Sequence, residues 1–408
     1  MVLKGLRTLL LIALGLGILS FNWRLYYAPK FTGQLDQDVN QDLLGQLHYL
    51  KAVRANGGAE KMQAIYPEGF VFFNALYALS WAEVLEHQNP ESTLYSEGLE
   101  ELNQVIHSLN SDEAKKTFDR SLQPEYGIFY RGWCNYVLGR KLKLQDPERR
   151  DSLDCKLFQT NCDEIQEALN KSEKPFLPSY YEACWPADMT VAMASLKQGE
   201  DLFPGSYQNT ISSWLLEVEK RTDPLGLIPH AVNASDGKVS IPARGSSQSL
   251  ILNFLFEIDS TYARQKMDRY TTTFLRYRLG LPGICEYPNE APGSGDIDSG
   301  PIVWGIGGAA SIVGQRVFAQ YGQPEVAIGL RNSIELFGMG WNTRESKSYL
   351  FGEFPMADAF IAWSNSTEAL RVEKLVSKKP WRLKIQLVSI LLLALVIWRL
   401  YKIYSKPI

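Results

Sequence analysis

Apolar residues at helical spacing dominate the middle of this chain, from about Asp38 to Leu370. They recur three and four positions apart, as Phe70, Phe73 and Tyr77 do, and this spacing places them on one face of a helix. Turn-forming residues separate one such stretch from the next, and residues 226–240 between two turns predict a short hairpin. The pattern predicts about a dozen helices, of which the clearest cover 70–84, 99–109, 129–142, 188–197, 207–218, 250–258, 262–277, 302–321, 325–337 and 356–370.

Each end of the chain carries an uncharged apolar run, at residues 8–21 and 385–398. Both runs are shorter than the roughly 20 residues that cross a bilayer comfortably. However, tryptophan, tyrosine, lysine and arginine flank them, as is typical of membrane interfaces. The sequence therefore predicts a membrane helix at each end, with the lipid bilayer as a partner. A cleaved signal peptide is the alternative for the first run and a core helix for the second.

Two membrane helices would place the middle of the chain on one side of the bilayer. Lysine and arginine before the second run favour the cytoplasmic side by the positive-inside rule. Against this, the start with Lys4 and Arg7 before an apolar run is typical of an uncleaved export signal. Cys155 and Cys162 could also close a short disulfide loop, which an oxidising compartment permits. We expect the domain on the non-cytoplasmic side.

The 408 residues divide into one large domain and two appendages. No Pro/Gly/Ser-rich linker interrupts the middle, so we expect anchors at 1–30 and 373–408 and a single domain at 31–372. So many helices in one all-α domain form either an open superhelix or a closed ring. No repeat of about 34–47 residues is visible, which argues against a superhelix. Long loops at 177–188, 222–246 and 281–301 favour a closed toroid with a cleft at one end.

Composition limits the chemistry. The net charge of −3 provides no bulk attraction for nucleic acid, and four histidines are a thin supply for metal sites. Asp296 and Asp298 could offer oxygens to calcium, but the EF-hand spacing is missing. The glycines at 305, 307 and 308 are interpreted as lying within a helix, where they allow close packing. We therefore expect no metal, no cofactor and no nucleic-acid partner.

The long loops concentrate carboxylates, aromatic residues and arginine. Paired carboxylates in different surroundings can act as a protonated acid and an ionised base, which is sufficient to break a glycosidic C–O bond or to eliminate across one. Aromatic rings could stack on sugars or line an isoprenoid pocket, and Arg244 could hold a carboxylate or phosphate. The catalytic candidates are Asp188, Glu286, Asp296 and Asp298, and the substrate-binding candidates are Tyr180, Tyr181, Trp185, His230, Arg244, Trp304 and Glu353.

Most candidates also have a structural explanation, which Asp296 lacks. Asp188 and Asp298 could favour or cap the beginning of a helix. Glu286 could simply pair with Arg244. Glu353 and His230 could be ordinary surface residues of polar loops.

Several short motifs carry a resemblance to a known family. They are Tyr130–Tyr136, Asp188–Ala192, Asp223–Gly226, Arg244–Ser247, Asp296–Pro301 and Phe351–Pro355. Their spacing resembles linalool dehydratase/isomerase and its distant relatives, and the resemblance implies an (α/α)6 barrel. In the same alignment the family's catalytic aspartate falls at Arg54 and its catalytic histidine at Trp133. The resemblance therefore implies the fold but not the dehydration of a monoterpene alcohol.

Together these observations predict a membrane-anchored (α/α)6-barrel enzyme that breaks or rearranges a C–O bond of a glycan or an isoprenoid-like small molecule. The alternative is a non-catalytic membrane receptor of the same fold that binds a glycan, a lipid or a protein. Two carboxylates facing one cavity without salt bridges would favour the enzyme. Carboxylates that are all paired with arginine or with helix N-termini would favour the binding protein.

Overall fold

The computed structural model describes residues 2–32, 39–296, 299–367 and 380–405. Asp298 and the end of the helix predicted over 356–370 lie outside these residues. The helices are α1 (Val2–Arg24), α2 (Gln41–Ala55), α3 (Gly58–Gln63), α4 (Gly69–Leu85), α5 (Thr93–Leu109), α6 (Asp112–Lys115), α7 (Gly127–Leu144), α8 (Ser152–Asn170), α9 (Pro186–Leu202), α10 (Gln208–Glu219), α11 (Gly245–Ile258), α12 (Ser260–Phe274), α13 (Gly308–Gln320), α14 (Pro324–Phe337), α15 (Pro355–Asn365) and α16 (Leu383–Ser405).

Short antiparallel strand pairs decorate the helices: β1–β2, β4–β5, β6–β7, β8–β9 and β10–β11, with β3 added to the edge of β4. Single turns of 3-10 helix occur at Pro147–Arg149, Pro288–Glu290 and Leu350–Gly352. The strands are β1 (Phe31–Thr32), β2 (Val39–Asn40), β3 (Ala183–Cys184), β4 (Ala231–Asn233), β5 (Val239–Ile241), β6 (Leu275–Arg278), β7 (Leu281–Ile284), β8 (Ile302–Val303), β9 (Ile306–Gly307), β10 (Trp341–Asn342) and β11 (Lys347–Ser348).

Six helices form a closed inner ring. In order, α4, α7, α9, α11, α13 and α15 each pack against the next, and α15 returns to α4. Helices α2, α5, α8, α10, α12 and α14 alternate with them along the chain and pack outside. The predicted (α/α)6 toroid is therefore confirmed. The burial pattern explains the two layers, since every residue of α4 except Phe72 is buried, whereas α5 buries one stripe that includes Leu102 and Ile106.

Aromatic side chains fill the middle of the ring. The ring of Phe72 lies 4.9 Å from that of Trp133 and 4.9 Å from that of Phe360. Phe254 lies 5.4 Å from Trp133 and 5.8 Å from Trp363. Because α11 is not a neighbour of α7 or α15 around the ring, the two contacts of Phe254 must cross its centre. Trp133, where the alignment placed a catalytic histidine, is fully buried in this aromatic cluster.

An ion pair crosses the ring nearer the end at which the inner helices terminate. Arg316 of α13 donates from Nη1 to Oε2 of Glu83 on α4 at 2.8 Å. Burial alone acts to raise the pKa of Glu83, but the positive charges of Arg316 and Arg140 hold it below its usual value. Glu83 is therefore an ionised, buried link between two non-adjacent inner helices.

Two local expectations are wrong. Residues 305–307 do not lie within a helix, because Trp304 and Gly305 both have positive φ and form the tight turn between β8 and β9, so that α13 begins only at Gly308. Cys155 and Cys162 form no disulfide, and all five cysteines are free. Both lie on α8 seven positions apart, which separates their Cα atoms by about 10 Å, beyond the reach of a disulfide. One argument for a non-cytoplasmic domain is thereby lost.

The terminal helices lie where the anchors were predicted. Leu3–Arg24 and Leu383–Ser405 are long and apolar enough to cross a membrane, by length and composition. They pack against each other, and a cluster of Leu25, Leu281, Leu336 and Trp381 joins their base to the domain. The domain boundaries near 30 and 372, like the membrane orientation, remain predictions.

Candidate functional site

The loops that lead into the inner helices contact one another and form what we call the loop end of the ring. The amide of Ile128, at the start of α7, donates to the carbonyl of Pro178 at 2.9 Å. Strand β3, before α9, pairs with β4, before α11. The amide of Gly245, at the start of α11, donates to the carbonyl of Glu286 at 2.8 Å. Three loops that are distant in sequence, and that carry most of the predicted site residues, therefore meet.

Arg244 lies at the centre of this end, immediately before α11, and is buried. Its Nε donates to Oε1 of Glu286 at 2.7 Å, and its Nη1 donates to Oδ2 of Asp296 at 2.5 Å. Both carboxylates come from the loop between α12 and α13. One guanidinium thus holds two of the four predicted catalytic carboxylates, and the site is organised around a cation.

Glu286 is fully buried and is held by several bonds. Besides Arg244, the hydroxyl of Ser246 donates to Oε1 at 2.7 Å and the amide of Ser246 to Oε2 at 3.3 Å. Burial raises the pKa of Glu286, although the bonds from Ser246 and the charge of Arg244 act in the opposite direction. A Cβ at Gly245 would lie 2.0 Å from the carbonyl of Cys285, so only glycine permits this close approach. Glu286 therefore has the structural role of a partner for Arg244.

Asp296 differs because its side chain is 48% exposed. The amide of Ser299 donates to its Oδ1 at 2.9 Å. Burial acts to raise the pKa of Asp296, but bonds from Arg244 and Ser299 outweigh it and lower the pKa to about 2. Asp296 is consequently ionised at neutral pH and cannot act as a general acid there. Asp298 lies outside the described residues.

His230 and Tyr287 complete the cluster around Arg244. Burial and then the positive charge of Arg244 lower the pKa of His230 to about 4, opposed by the negative charge of Asp296. The Tyr287 ring centroid lies 5.2 Å from Cζ of Arg244, and the Tyr287 hydroxyl donates to the carbonyl of Ser294 at 2.5 Å. Among the described residues, neither Nδ1 of His230 nor Nη2 of Arg244 has a hydrogen-bond partner, although both atoms are buried.

An aromatic group lies in the neighbouring loop. The rings of Tyr180 and Trp185 are 4.8 Å apart, and those of Tyr180 and Tyr181 are 6.1 Å apart. Tyr180 also contacts Phe129, at 6.0 Å, which ties this group to the aromatic cluster of the ring. Tyr181 is 56% exposed and so presents a ring to the outside.

The remaining candidates lie elsewhere on the loop end. Asp188 is buried in the first turn of α9. Burial raises the pKa of the nearby Cys184 thiol, and the negative charge of Asp188 raises it further. Trp304 is exposed at the tip of the β8–β9 turn, where its carbonyl accepts a bond from Nε of Arg278 at 3.1 Å. Glu353 is exposed after a 3-10 turn, as a solvated surface charge would be.

One carboxyl group with a raised pKa was not predicted from the sequence. Asp358 in the first turn of α15 is fully buried, and burial raises its pKa to about 8. Its Oδ1 accepts a bond from the amide of Tyr349 at 2.8 Å, whereas its Oδ2 has no partner among the described residues. An aspartate three positions after a proline predicts an exposed first helical turn, so no local signal indicated this burial. Within the described part of the chain, no group of three His, Cys, Asp or Glu side chains could hold a metal ion.

Comparisons with known proteins place the chain by its fold. No protein family model and no curated protein matches the sequence. A solved polysaccharide lyase superposes with a TM-score of 0.50 at 10% identity, over 82% of this chain and 98% of that one. A GH76 α-mannanase from Bacteroides thetaiotaomicron gives 0.42 at 10% identity, over 72% and 85% of the two chains. A family 105 glycoside hydrolase from C. acetobutylicum gives 0.43 at 10% identity, over 72% and 93%.

At such low identity the likeness to the lyase shows the fold alone. The comparisons do not show the relationship to linalool dehydratase/isomerase that the motifs suggested. The toroid is therefore established without a family, and the function has to be argued from the cluster itself.

Proposed function

We propose that this protein is an enzyme that cleaves a glycosidic C–O bond in an anionic glycan, with Arg244 at the centre of its site. One observation carries the proposal: among the described residues, neither Nη2 of the buried Arg244 nor Nδ1 of His230 has a hydrogen-bond partner, and Arg244 is close enough to lower the pKa of His230. Buried polar groups in proteins are nearly always bonded. A ligand that supplies partners to both nitrogens would therefore bind here favourably.

The two groups suit elimination from a sugar that carries a carboxylate. Arg244 would bind that carboxylate and stabilise the negative charge that develops on it. Neutral His230 would take the proton from the carbon next to the carboxylate, and the electron pair of that C–H bond would form a C=C bond. The C–O bond to the neighbouring sugar would break, its oxygen would leave as a hydroxyl after receiving a proton from water, and His230 would return its own proton to the solvent. No oxidant or cofactor is needed.

The carboxylates take a different part from the one the sequence suggested. Asp296 is ionised and Glu286 is buried, so the pair does not have the properties of an acid and a base. Both instead orient Arg244, and Asp296 also balances its charge. Tyr180, Tyr181 and Trp185 would stack on sugar rings beside the cluster. A cation at the centre favours an acidic glycan over an uncharged isoprenoid alcohol.

The test is an assay of the full-length protein in detergent or nanodiscs against polyuronates, glycosaminoglycans and neutral polysaccharides. Formation of the C=C bond is followed by ultraviolet absorbance. On an acidic substrate that the wild type cleaves, we expect His230→Gln to lower kcat by about 10²–10⁴-fold. Arg244→Lys should lower kcat by about 10²–10³-fold, because lysine keeps the positive charge but lacks the planar set of N–H donors of a guanidinium.

Arg221→Met is the matched control, since Arg221 pairs with Glu217 at the end of an outer helix. It should leave turnover unchanged. Wild-type turnover by folded His230→Gln, or cleavage of neutral glycans alone, would refute the proposed roles.

A binding protein of the same fold is the second candidate. It is favoured by the ion pairs that hold both Glu286 and Asp296 on Arg244. In that case acidic oligosaccharides would bind without any product, and Arg244→Lys would weaken binding in calorimetry. The product assay therefore separates the two candidates.

A further inference from the structure

Outside α1 and α16, many of the exposed large apolar side chains lie in the two loops that lead into α13 and α15 or, in the case of Phe337, at the end of α14. We call six of them the apolar rim; these six, with their exposed fractions, are Leu279 (41%), Val303 (61%), Trp304 (67%), Phe337 (64%), Trp341 (60%) and Phe351 (68%). A concentration of exposed apolar side chains on a folded domain marks a place of contact.

The apolar rim is continuous with the base of the terminal helix pair. Arg24, the last residue of α1, donates from Nη1 to the carbonyl of Gly340 at 2.8 Å. A Cβ at Gly280 would lie 2.0 Å from the carbonyl of Trp381, two residues before α16. Leu279 and Trp341 are therefore each one residue away from a direct contact with the helix pair.

The other members of the apolar rim lie near Leu279 or near Trp341. Arg278, next to Leu279, donates to the carbonyl of Trp304 at 3.1 Å. The amide of Leu350 donates to the carbonyl of Gly338 at 2.8 Å, which brings Phe351 close to Phe337. The rim thus extends outward from the point at which α1 and α16 leave the domain.

We propose that the apolar rim lies in the interfacial layer of the bilayer that α1 and α16 cross. The two helices bring the bilayer surface to Gly280 and Gly340, so the neighbouring side chains meet lipid before any other partner. Tryptophan is the residue that favours this depth, because its ring is apolar and its N–H bonds to the headgroup region. The inference depends on α1 and α16 spanning the membrane and does not depend on the proposed enzymatic activity.

The apolar rim also bears on access to the site. Trp304 belongs to the same loop as Glu286 and Asp296, so the loop end would face the lipid surface. If the proposed function is right, substrates attached to lipid would reach Arg244 more readily than free chains in solution.

The experiment uses the full chain in phosphatidylcholine nanodiscs with single fluorescent labels. Cys134 and Cys155, which are only partly buried, are first replaced by Ser. Labels are then attached at Trp304→Cys, Trp341→Cys and Phe351→Cys. Leu216→Cys is the matched control, because Leu216 is 67% exposed, like Trp304, but lies on the outer helix α10.

Lipids with a spin label near the headgroup should quench the three rim labels several-fold more than the label at 216. Aqueous iodide should show the reverse order. Rim labels that iodide quenches as strongly as the control would overturn the proposal. So would rim labels shielded from both quenchers, since a second copy or another protein would then cover the rim. Neither result depends on whether any glycan is cleaved.

Discussion

Two buried arginines of the ring are bonded very differently. All three nitrogens of Arg316 have partners, since Nε donates to Asn253 at 2.6 Å, Nη1 to Glu83 and to the carbonyl of Trp363 at 2.9 Å, and Nη2 to Glu83. Among the described residues, Arg244 has partners for Nε and Nη1 but none for Nη2. Arg316 crosses the interior between inner helices, whereas Arg244 lies at the loop end beside the half-exposed Asp296.

The difference separates a group that holds the ring together from a group that can bind something. A buried charge whose bonds are complete stabilises its surroundings mainly because removing one partner leaves the other uncompensated. A buried guanidinium with one nitrogen that lacks a partner can still donate a hydrogen bond to an acceptor on a ligand. The two arginines should therefore respond differently to substitution.

The largest effect on stability is expected for Arg316→Met. It leaves Glu83 buried without its cation, and such changes cost about 3–5 kcal/mol. Urea unfolding followed by circular dichroism measures the loss. The control is Lys171→Met, which removes an exposed pair with Glu167 and should leave the free energy of unfolding almost unchanged. Equal losses in the two variants would show that the buried pair does not hold the ring.

A smaller loss, about 1–3 kcal/mol, is expected for Arg244→Met. Glu286 keeps its bonds from Ser246, and because burial raises its pKa it can take up a proton once the arginine is gone. The loss relative to wild type should therefore shrink as the pH is lowered from 7 to 5. A loss that is independent of pH would mean that Glu286 stays ionised, and the comparison with Arg316 would fail.

The smallest effect concerns His230 and depends on pH. Its pKa is lower in the folded protein than in the unfolded chain, so its contribution is fully present above about pH 6.5 and is lost as the pH falls through about 4. His230→Gln should flatten the fall in melting temperature between pH 6.5 and 4.5. Asp296, with a pKa of about 2, titrates below this window. Parallel curves for the two proteins would exclude a buried neutral histidine.

Much of the fold could be predicted from local pattern. The 3.6-residue period located ten of the twelve ring helices, but α2 and α8 were not among the predicted stretches. The turn residues around 226–240 located the β4–β5 hairpin. The error at residues 305–307 arose because two adjacent left-handed residues, Trp304 and Gly305, form a turn that composition does not distinguish from a glycine-rich helix.

The site could be predicted less well, because its properties depend on partners far away in sequence. The loops that carry Arg244 and Glu286 were recognised, and so was their possible pairing. The low pKa of His230 depends on the tertiary surroundings that bury it and place Arg244 beside it. The burial of Asp358 against Tyr349 and the pairing of Arg316 with Glu83 leave no signal in their neighbouring residues.

The contact between α15 and α4 gives the ring a seam that closes late. Glu83 of α4 and Arg316 of α13 are already 233 residues apart, α15 lies still further along the chain, and joining segments so distant costs about 5 kcal/mol of chain entropy. During synthesis, α4 therefore lacks its neighbour α15 until almost the whole domain has been made. A chain that ends before Pro355 would leave Phe72 without its contact to Phe360. The ring would then expose apolar surface that chaperones would have to cover.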